Sequence, residues 1–464
     1  MNNGLKKVRP FGLTDNVGYM FGNIGADLVF GLCSGFLMKF YTDVMAVPAA
    51  FVGIMMMVAR VLDAVTDIGM GQICDKSKEK ESGKFRPWIR RIAGPLALSS
   101  FLMYAVWFQD MSLGFKVVWM FVTYMLYGSV FYTAFIVPYG SMATAITQDP
   151  TERASLANMR NIGGTLAMCV INVALPLIVY YKNDSGNQVL SGTRMAVVAA
   201  GISIIAFVLY MACYYMTTER VKLPSQSENG EQSVLRNIKA SLNNRATLSL
   251  TLVVIIYEIG RQGLSGMAAY FYPNYLGNVQ AQSAAGVIET VVTLVMTLAV
   301  VPMVRKFGKR AASSIGMGFS AAMLIICNLT HTHSAMVWLV FDALIFVGLG
   351  IWASVQWSLV GDIVDDTEVR TGTRADGGIY GAFSFSRKLG QALSSGVCGT
   401  LLSIIGYTTA TAADEAVVNG IFSVTTLVPA VAYICMIVVL MTLYPLSKKR
   451  VEENAAILEE RHSK

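Results

Sequence analysis

The chain has 464 residues, of which 54% are apolar and only 14% charged, with three histidines and a formal net charge of +7. With a mean hydropathy of +0.54, it lies far from the roughly one-quarter charged composition of soluble domains, and a water-soluble fold is excluded because too little polar surface remains. The basic balance could point to a nucleic-acid partner. However, the Lys and Arg residues sit in particular connections and form no basic domain, so no nucleic-acid partner is expected.

Residues 1–16 are polar and run into the first apolar stretch without a cleavable leader, so the first helix is expected to direct insertion. Apolar stretches of bilayer-spanning length, roughly 20 residues each, then recur near 17–41, 47–72, 92–110, 117–145, 160–181, 194–217, 247–272, 284–304, 311–330, 335–361, 377–405 and 420–445. Backbone groups in lipid must be satisfied within their own segment, so these are read as twelve transmembrane helices of an all-α membrane protein. Lys76, Lys78, Lys80, Lys84, Arg86, Arg90 and Arg91 follow the second stretch, and Arg305, Lys306, Lys309 and Arg310 follow the eighth. The alternate connections TDVMAVPAA, PNYLGNVQAQS, THTHSA and YTTATAADEAVVN carry no Lys or Arg. The positive-inside rule therefore puts both termini in the cytoplasm.

The polar segment 218–246 divides six helices from six, giving an N-terminal bundle (1–217), a cytoplasmic linker (218–246), a C-terminal bundle (247–446) and a cytoplasmic tail (447–464) expected to be solvated. DPTERASLANMRNIGG after the fourth helix resembles DDTEVRTGTRADGG after the tenth. Repeated halves are the pattern of an alternating-access carrier. Seven scattered cysteines without CxxC spacing are read as packing residues. The HTH of His331 and His333 reads as a solvated loop, with a metal site as the alternative.

An acid near the bilayer centre costs on the order of 2.5–3.5 kcal/mol, so it needs a partner or a task. Asp63 and Asp67, in ARVLDAVTDIGMG, share one helix face. Two neighbouring carboxylates repel unless a cation or proton lies between them, and Thr66 offers a hydroxyl oxygen from nearly the same face. The alternative is a salt bridge to Arg60, one turn away. Asp27 on the first helix can accept two sugar hydroxyls through charge-assisted bonds, with Arg160 on the fifth as its partner in the empty state. Trp352 can stack on a sugar ring or simply fill a buried or interfacial position. Lys388 is the cation singled out on the eleventh helix. Glu258 and Arg261, three apart, are expected to pair, while Glu289 and Asp342 carry no assigned role. Asp362, Asp365 and Asp366 with Arg370 and Arg374 read as loop residues, either an inner gate of salt bridges between the bundles or simply solvated.

The segments YTDVMAVPAAFVG, ARVLDAVTDIGMG, GKFRPWI, VPYGSMATAITQDPTERASL, GDIVDDTEVRTGTRADG and FSFSRKLGQAL together resemble the glycoside–pentoside–hexuronide:cation symporters of the major facilitator superfamily. The resemblance spans both halves. It implies the major facilitator fold and a cation site, for Na+, Li+ or H+, at Asp63 and Asp67 with Thr133 of the fourth helix, and with Thr66 where melibiose permease has asparagine. It further implies sugar contacts at Asp27, Arg160, Trp352 and Lys388. Ile136 and Gly140 stand around Pro138 where that permease has an acid and an aromatic residue, so a galactoside fits less well than a glucuronide or a pentoside/xyloside. The expected function is cation-coupled symport of a glycoside, with Na+ or H+ as coupling cation, in a bacterial inner membrane. The expected partners are a small sugar, a monovalent cation and lipid. No other cofactor is expected, nor enzyme activity, and the chain should act as a monomer. The alternative is an exporter or uniporter of a small sugar-derived anion on the same scaffold.

Overall fold

The computed structural model describes residues 9–77, 79–80, 82–184, 186–221, 244–372 and 376–463. The helices are α1 (Leu13–Asp43), α2 (Ala49–Lys76), α3 (Arg86–Leu102), α4 (Leu113–Ile146), α5 (Pro150–Val179), α6 (Gly192–Met216), α7 (Arg245–Tyr270), α8 (Val279–Phe307), α9 (Lys309–Thr330), α10 (Ala335–Thr371), α11 (Asp376–Ile404), α12 (Glu415–Thr442) and α13 (Lys448–Ser463). A short hairpin, β1 (Tyr180–Lys182) and β2 (Gln188–Leu190), joins α5 to α6.

Among the described residues nine of the first twelve helices, all but α3, α7 and α11, are long and apolar enough to cross a membrane by length and composition. The exceptions have identifiable causes. Helix α3 is only 17 residues long and opens on Arg86, Arg90 and Arg91, α7 carries Glu258 and Arg261, and α11 carries Arg387 and Lys388. The apolar run after α3 does not continue as α-helix: it ends at Leu102 and turns through a short 3-10 segment, Val106–Phe108. Large apolar side chains stand outward on many helices, among them Leu298 at 81% exposure, Leu329 at 76% and Ile404 at 73%. Side chains of that kind belong in lipid.

The chain forms two compact units. The first comprises Met1–Val47, Leu62–Tyr181 and Leu190–Glu228, the second Pro48–Val61, Lys182–Val189 and Asn229–Lys464. In the first unit α1 packs on α5 and α6, and α3 packs on α4 and α6. Its core holds Leu28, Leu32, Phe36 and Tyr104, whose hydroxyl donates to the Leu32 carbonyl at 2.9 Å. Beyond α6, Glu219 accepts three backbone N–H groups, from Lys84, Phe85 and Arg86 at 2.7, 2.9 and 2.7 Å. This ties the basic α2–α3 connection to the end of the bundle. Burial raises the Glu219 carboxyl above the usual range, with those N–H bonds pulling the other way.

In the second unit α7 packs on α11 and α12, while α10 packs on α8 and α9. Val253, Leu324, Ile345, Leu349, Trp352 and Tyr433 lie at its centre. Two expectations fail here. The acids after the tenth span are not in a loop, because α10 runs unbroken for 37 residues to Thr371, about 55 Å, well beyond the ~30 Å hydrocarbon core. The matching DPTER segment differs because it contains Pro150, which opens α5 behind its Asp149 cap. Two backbone N–H groups hold the Asp149 carboxyl below its usual range. The C-terminal half has no such proline, and its helix continues until Gly372 turns left-handed at φ +72°.

Two of those acids, Asp362 and Asp366, are ion-paired. Asp362 binds Lys309 at 2.6 Å, and Asp366 binds Arg450 at 3.0 Å and accepts from Asn454 at 3.1 Å, all within the second unit. Nor is the tail simply solvated: α13 docks on α10 through Asp366 and buries Leu458, while most of its described residues stay exposed. Arg374 and the centre of the expected linker, 222–243, lie outside the described residues.

Candidate functional site

In the first unit α2 presents Asp63 and Asp67 to α4. The latter relaxes into a π-helical turn at Leu126–Tyr132, a device frequent at functional positions because it re-aims side chains. Ser129 donates to Asp63 Oδ1 at 2.5 Å and Thr133 to Asp67 Oδ1 at 2.8 Å. Both members of each pair are four residues from their counterparts, so two carboxylates and two hydroxyls form matched rungs between the helices. Thr133 is also 3.3 Å from the Gly128 carbonyl. A methyl group at Gly128 would stand 3.1 and 3.3 Å from the two oxygens of Asp63, so the missing side chain is what lets the carboxylate reach α4.

The Thr66 hydroxyl does not join these rungs through its proton, which goes to the Asp63 carbonyl at 3.1 Å. Ser129 was missed in the sequence reading. Its signal was available: it lies one helical turn before Thr133 and so on the same face. Carboxylates and hydroxyls together form an all-oxygen set of the kind hard cations prefer, and the same two acids can share a proton.

The second cluster joins α1 to α5. Asn23, one turn before Asp27, donates to Asp27 Oδ2 at 2.6 Å and to the Arg160 carbonyl at 3.1 Å, while its own carbonyl accepts from Arg160 Nε at 3.2 Å. The expected pairing of Asp27 with Arg160 is thus organised through an amide that the sequence reading overlooked. Asn23 satisfies both neighbours at once because an amide has donors and an acceptor. Gly164 makes room for the acid, since a methyl there would lie 2.7 Å from Asp27 Oδ2.

The Arg160 guanidinium stands 5.6 Å from the centre of the Tyr139 ring, which stacks on Tyr19 at 4.5 Å and donates to the Tyr19 carbonyl at 2.6 Å. Tyr139 and Thr133 belong to the same helix. Their six-residue separation is roughly 9 Å along its axis, so α4 physically connects the acid pair on α2 with the Asp27–Asn23–Arg160 cluster.

In the second unit Trp352 is fully buried, with its ring 5.5 Å from Tyr257. Of the two sequence readings for this residue, core placement is the one observed, and its indole N–H has no hydrogen-bond partner among the described residues. Lys388 is half-buried on α11. The expected Glu258–Arg261 pair is corrected. Glu258 reaches α11 instead, pairing with Arg387 at 3.0 Å and accepting from Gln391 at 3.3 Å, whereas Arg261 turns to Glu289 on α8 at 3.9 Å. Three residues apart on a helix permits contact, but α7 meets a different helix on either side, and each charge found a partner there. His333 packs its ring on Tyr275 at 4.5 Å.

Comparison with known proteins gives a consistent result. A family model described as MFS/sugar transport protein matches residues 18–448. The glucuronide carrier protein homolog of Escherichia coli (strain K12) is 30% identical over 448 residues, 96% of this chain and 95% of that one. The isoprimeverose transporter of Lactiplantibacillus pentosus is 29% identical over 411 residues, 88% and 84% of the two chains. Among solved structures, a D-xylose-proton symporter superimposes with a TM-score of 0.60 at 15% identity, covering 94% of this chain and 97% of that one.

Proposed function

We propose that this chain, which belongs to the MFS/sugar transport protein family, couples the entry of a monovalent cation to that of a glycoside. A glucuronide or a pentoside/xyloside is the substrate class. The chain is a sugar transporter with the major facilitator fold and is not an enzyme. The observation that carries the coupling reading is the pair of matched rungs Asp63–Ser129 and Asp67–Thr133. Two acids facing one helix are costly in lipid when both are ionised, and a bound Na+ or H+ relieves that repulsion.

The cation site supports sugar binding through α4, whose far turn carries Tyr139 beneath Arg160. Neutralising the acids stabilises the helix position in which Arg160, Asn23 and Asp27 bind the sugar, and by linkage bound sugar tightens the cation site equally. Arg160 supplies positive charge for an anionic glycoside, and Asp27 accepts its hydroxyls. Relatives named as a glucuronide carrier homolog and an isoprimeverose transporter support that substrate range. The protein works by alternating access as a monomer in a bacterial inner membrane, with both termini cytoplasmic.

The test is uptake of a radiolabelled β-glucuronide, a xyloside and a galactoside into proteoliposomes under an imposed Na+ or H+ gradient. Accumulation of the glucuronide or xyloside under one of the gradients is expected. Asp67→Asn should abolish that accumulation while retaining sugar exchange. Equal accumulation by the variant and its parent would remove the cation role from Asp67.

A further inference from the structure

The second unit contains a charge arrangement with no part in the mechanism above. Arg261 of α7 and Glu289 of α8 approach to 3.9 Å and keep 30% and 24% of their side-chain surfaces open. Asp342 of α10 is 2% exposed, and its Oδ2 is buried with no hydrogen-bond partner among the described residues. Asp342 interacts electrostatically with both Glu289 and Arg261. The Arg261 guanidinium lies 5.1 Å from the ring of Phe346, one turn further along the same face of α10. Among the described residues, Tyr272, after α7, and Cys327 on α9 also interact electrostatically with Asp342. Tyr272 accepts the indole N–H of Trp338 at 2.9 Å, so its hydroxyl is held in place.

The charge count decides the matter. One guanidinium cannot neutralise two carboxylates, so with both acids ionised the cluster carries a net negative charge that includes the buried Asp342. Burying an uncompensated charge is far costlier than taking up a proton, and the two acids titrate as a pair. We infer that Arg261, Glu289 and Asp342 form a proton-binding site in the C-terminal unit, separate from the acid pair on α2. Glu289 is the more open of the two acids and exchanges the proton, while Asp342 holds it in the protonated state. In that state the Asp342 carboxyl carries a donor as well as acceptors, and its buried Oδ2 no longer shares an uncompensated charge. The inference does not depend on which cation the α2 pair takes or on the identity of the sugar.

The experiment is pH-difference infrared spectroscopy of the purified, lipid-reconstituted protein, read in the C=O stretch of protonated carboxyl groups. A titrating band is expected in the parent, lost in Asp342→Asn, lost or shifted in Glu289→Gln, and retained in Asp63→Asn and Asp67→Asn. Asp342→Glu should restore a band at a shifted apparent midpoint, which separates a proton site from a merely structural residue. A band untouched by both Asp342→Asn and Glu289→Gln would overturn the assignment. So would a band displaced by Na+ at fixed pH in Asp67→Asn protein, which would make the cluster a metal-cation site. Because no transport is read, failure here leaves the symport proposal standing, and failed uptake leaves this site standing.

Discussion

Replacing Gly128 with alanine tests the proposed cation site without removing any of the side chains proposed to form it. The new methyl group would meet Asp63 at 3.1 Å from Oδ1 and 3.3 Å from Oδ2, a few tenths of an ångström inside ordinary contact. The backbone of α4 cannot retreat easily, but a carboxylate at the end of a side chain can, so Asp63 turns away and its 2.5 Å bond from Ser129 lengthens. A hydrogen bond to a charged group contributes about 1.5–3 kcal/mol net, and losing part of one costs about 1–2 kcal/mol, a factor of about 5–30. The concentration of coupling cation needed for half-maximal sugar binding should rise by that factor. Sugar affinity at saturating cation should stay within about twofold. The assay is labelled-sugar binding to purified protein, titrated with Na+ at fixed pH and then with pH at fixed Na+. Ser129→Ala should act in the same direction. An unchanged activation constant for both cations in both variants would refute the argument that Ser129 and the bare backbone at Gly128 shape this site.

Two further outcomes follow from the other clusters. Asn23→Ala removes the amide that joins Asp27 to Arg160; sugar affinity should fall about tenfold, corresponding to about 1.4 kcal/mol, and equal affinity in a binding titration at saturating cation would exclude a positioning role. Arg387→Ala leaves the 5%-exposed Glu258 side chain without its ion-pair partner. Since Arg387 is itself more than a third exposed, the expected loss is about 1–3 kcal/mol, below the range for a fully buried pair. Adding Glu258→Gln should recover most of the lost thermal stability, measured by heat-induced unfolding in detergent, whereas a double variant no more stable than Arg387→Ala would show that packing matters here and the charge does not.

How much of this was legible in the chain differs from residue to residue. Length and hydropathy were enough for the helices, because lipid leaves the backbone no other way to satisfy its hydrogen bonds. The polar exceptions α7 and α11 were still legible, since their charges interrupt runs whose length is otherwise sufficient, whereas the early end of α3 at Leu102 was not. Spacing alone put Asp63 beside Asp67 on one face. The same rule applied to α4 and α1 would have added Ser129 and Asn23, each one turn from a residue already singled out. The partner of a charge was not legible. Glu258 with Arg387, Arg261 with Glu289, and Asp366 with Arg450 are pairs between different helices, and periodicity along one helix says nothing about which neighbour it meets.

The sequence by itself determined an all-helical membrane protein and the side chains available for chemistry, because both follow from local composition and the solvent the chain must occupy. Only the tertiary structure decided that the acids beyond the tenth span are helical and that one of them, Asp366, clasps the tail, that Trp352 is buried core, and that the buried Asp342 Oδ2 has no hydrogen-bond partner among the described residues. Those outcomes depend on packing. A helix's partners are set by the fit of whole faces in three dimensions, which no window of sequence contains.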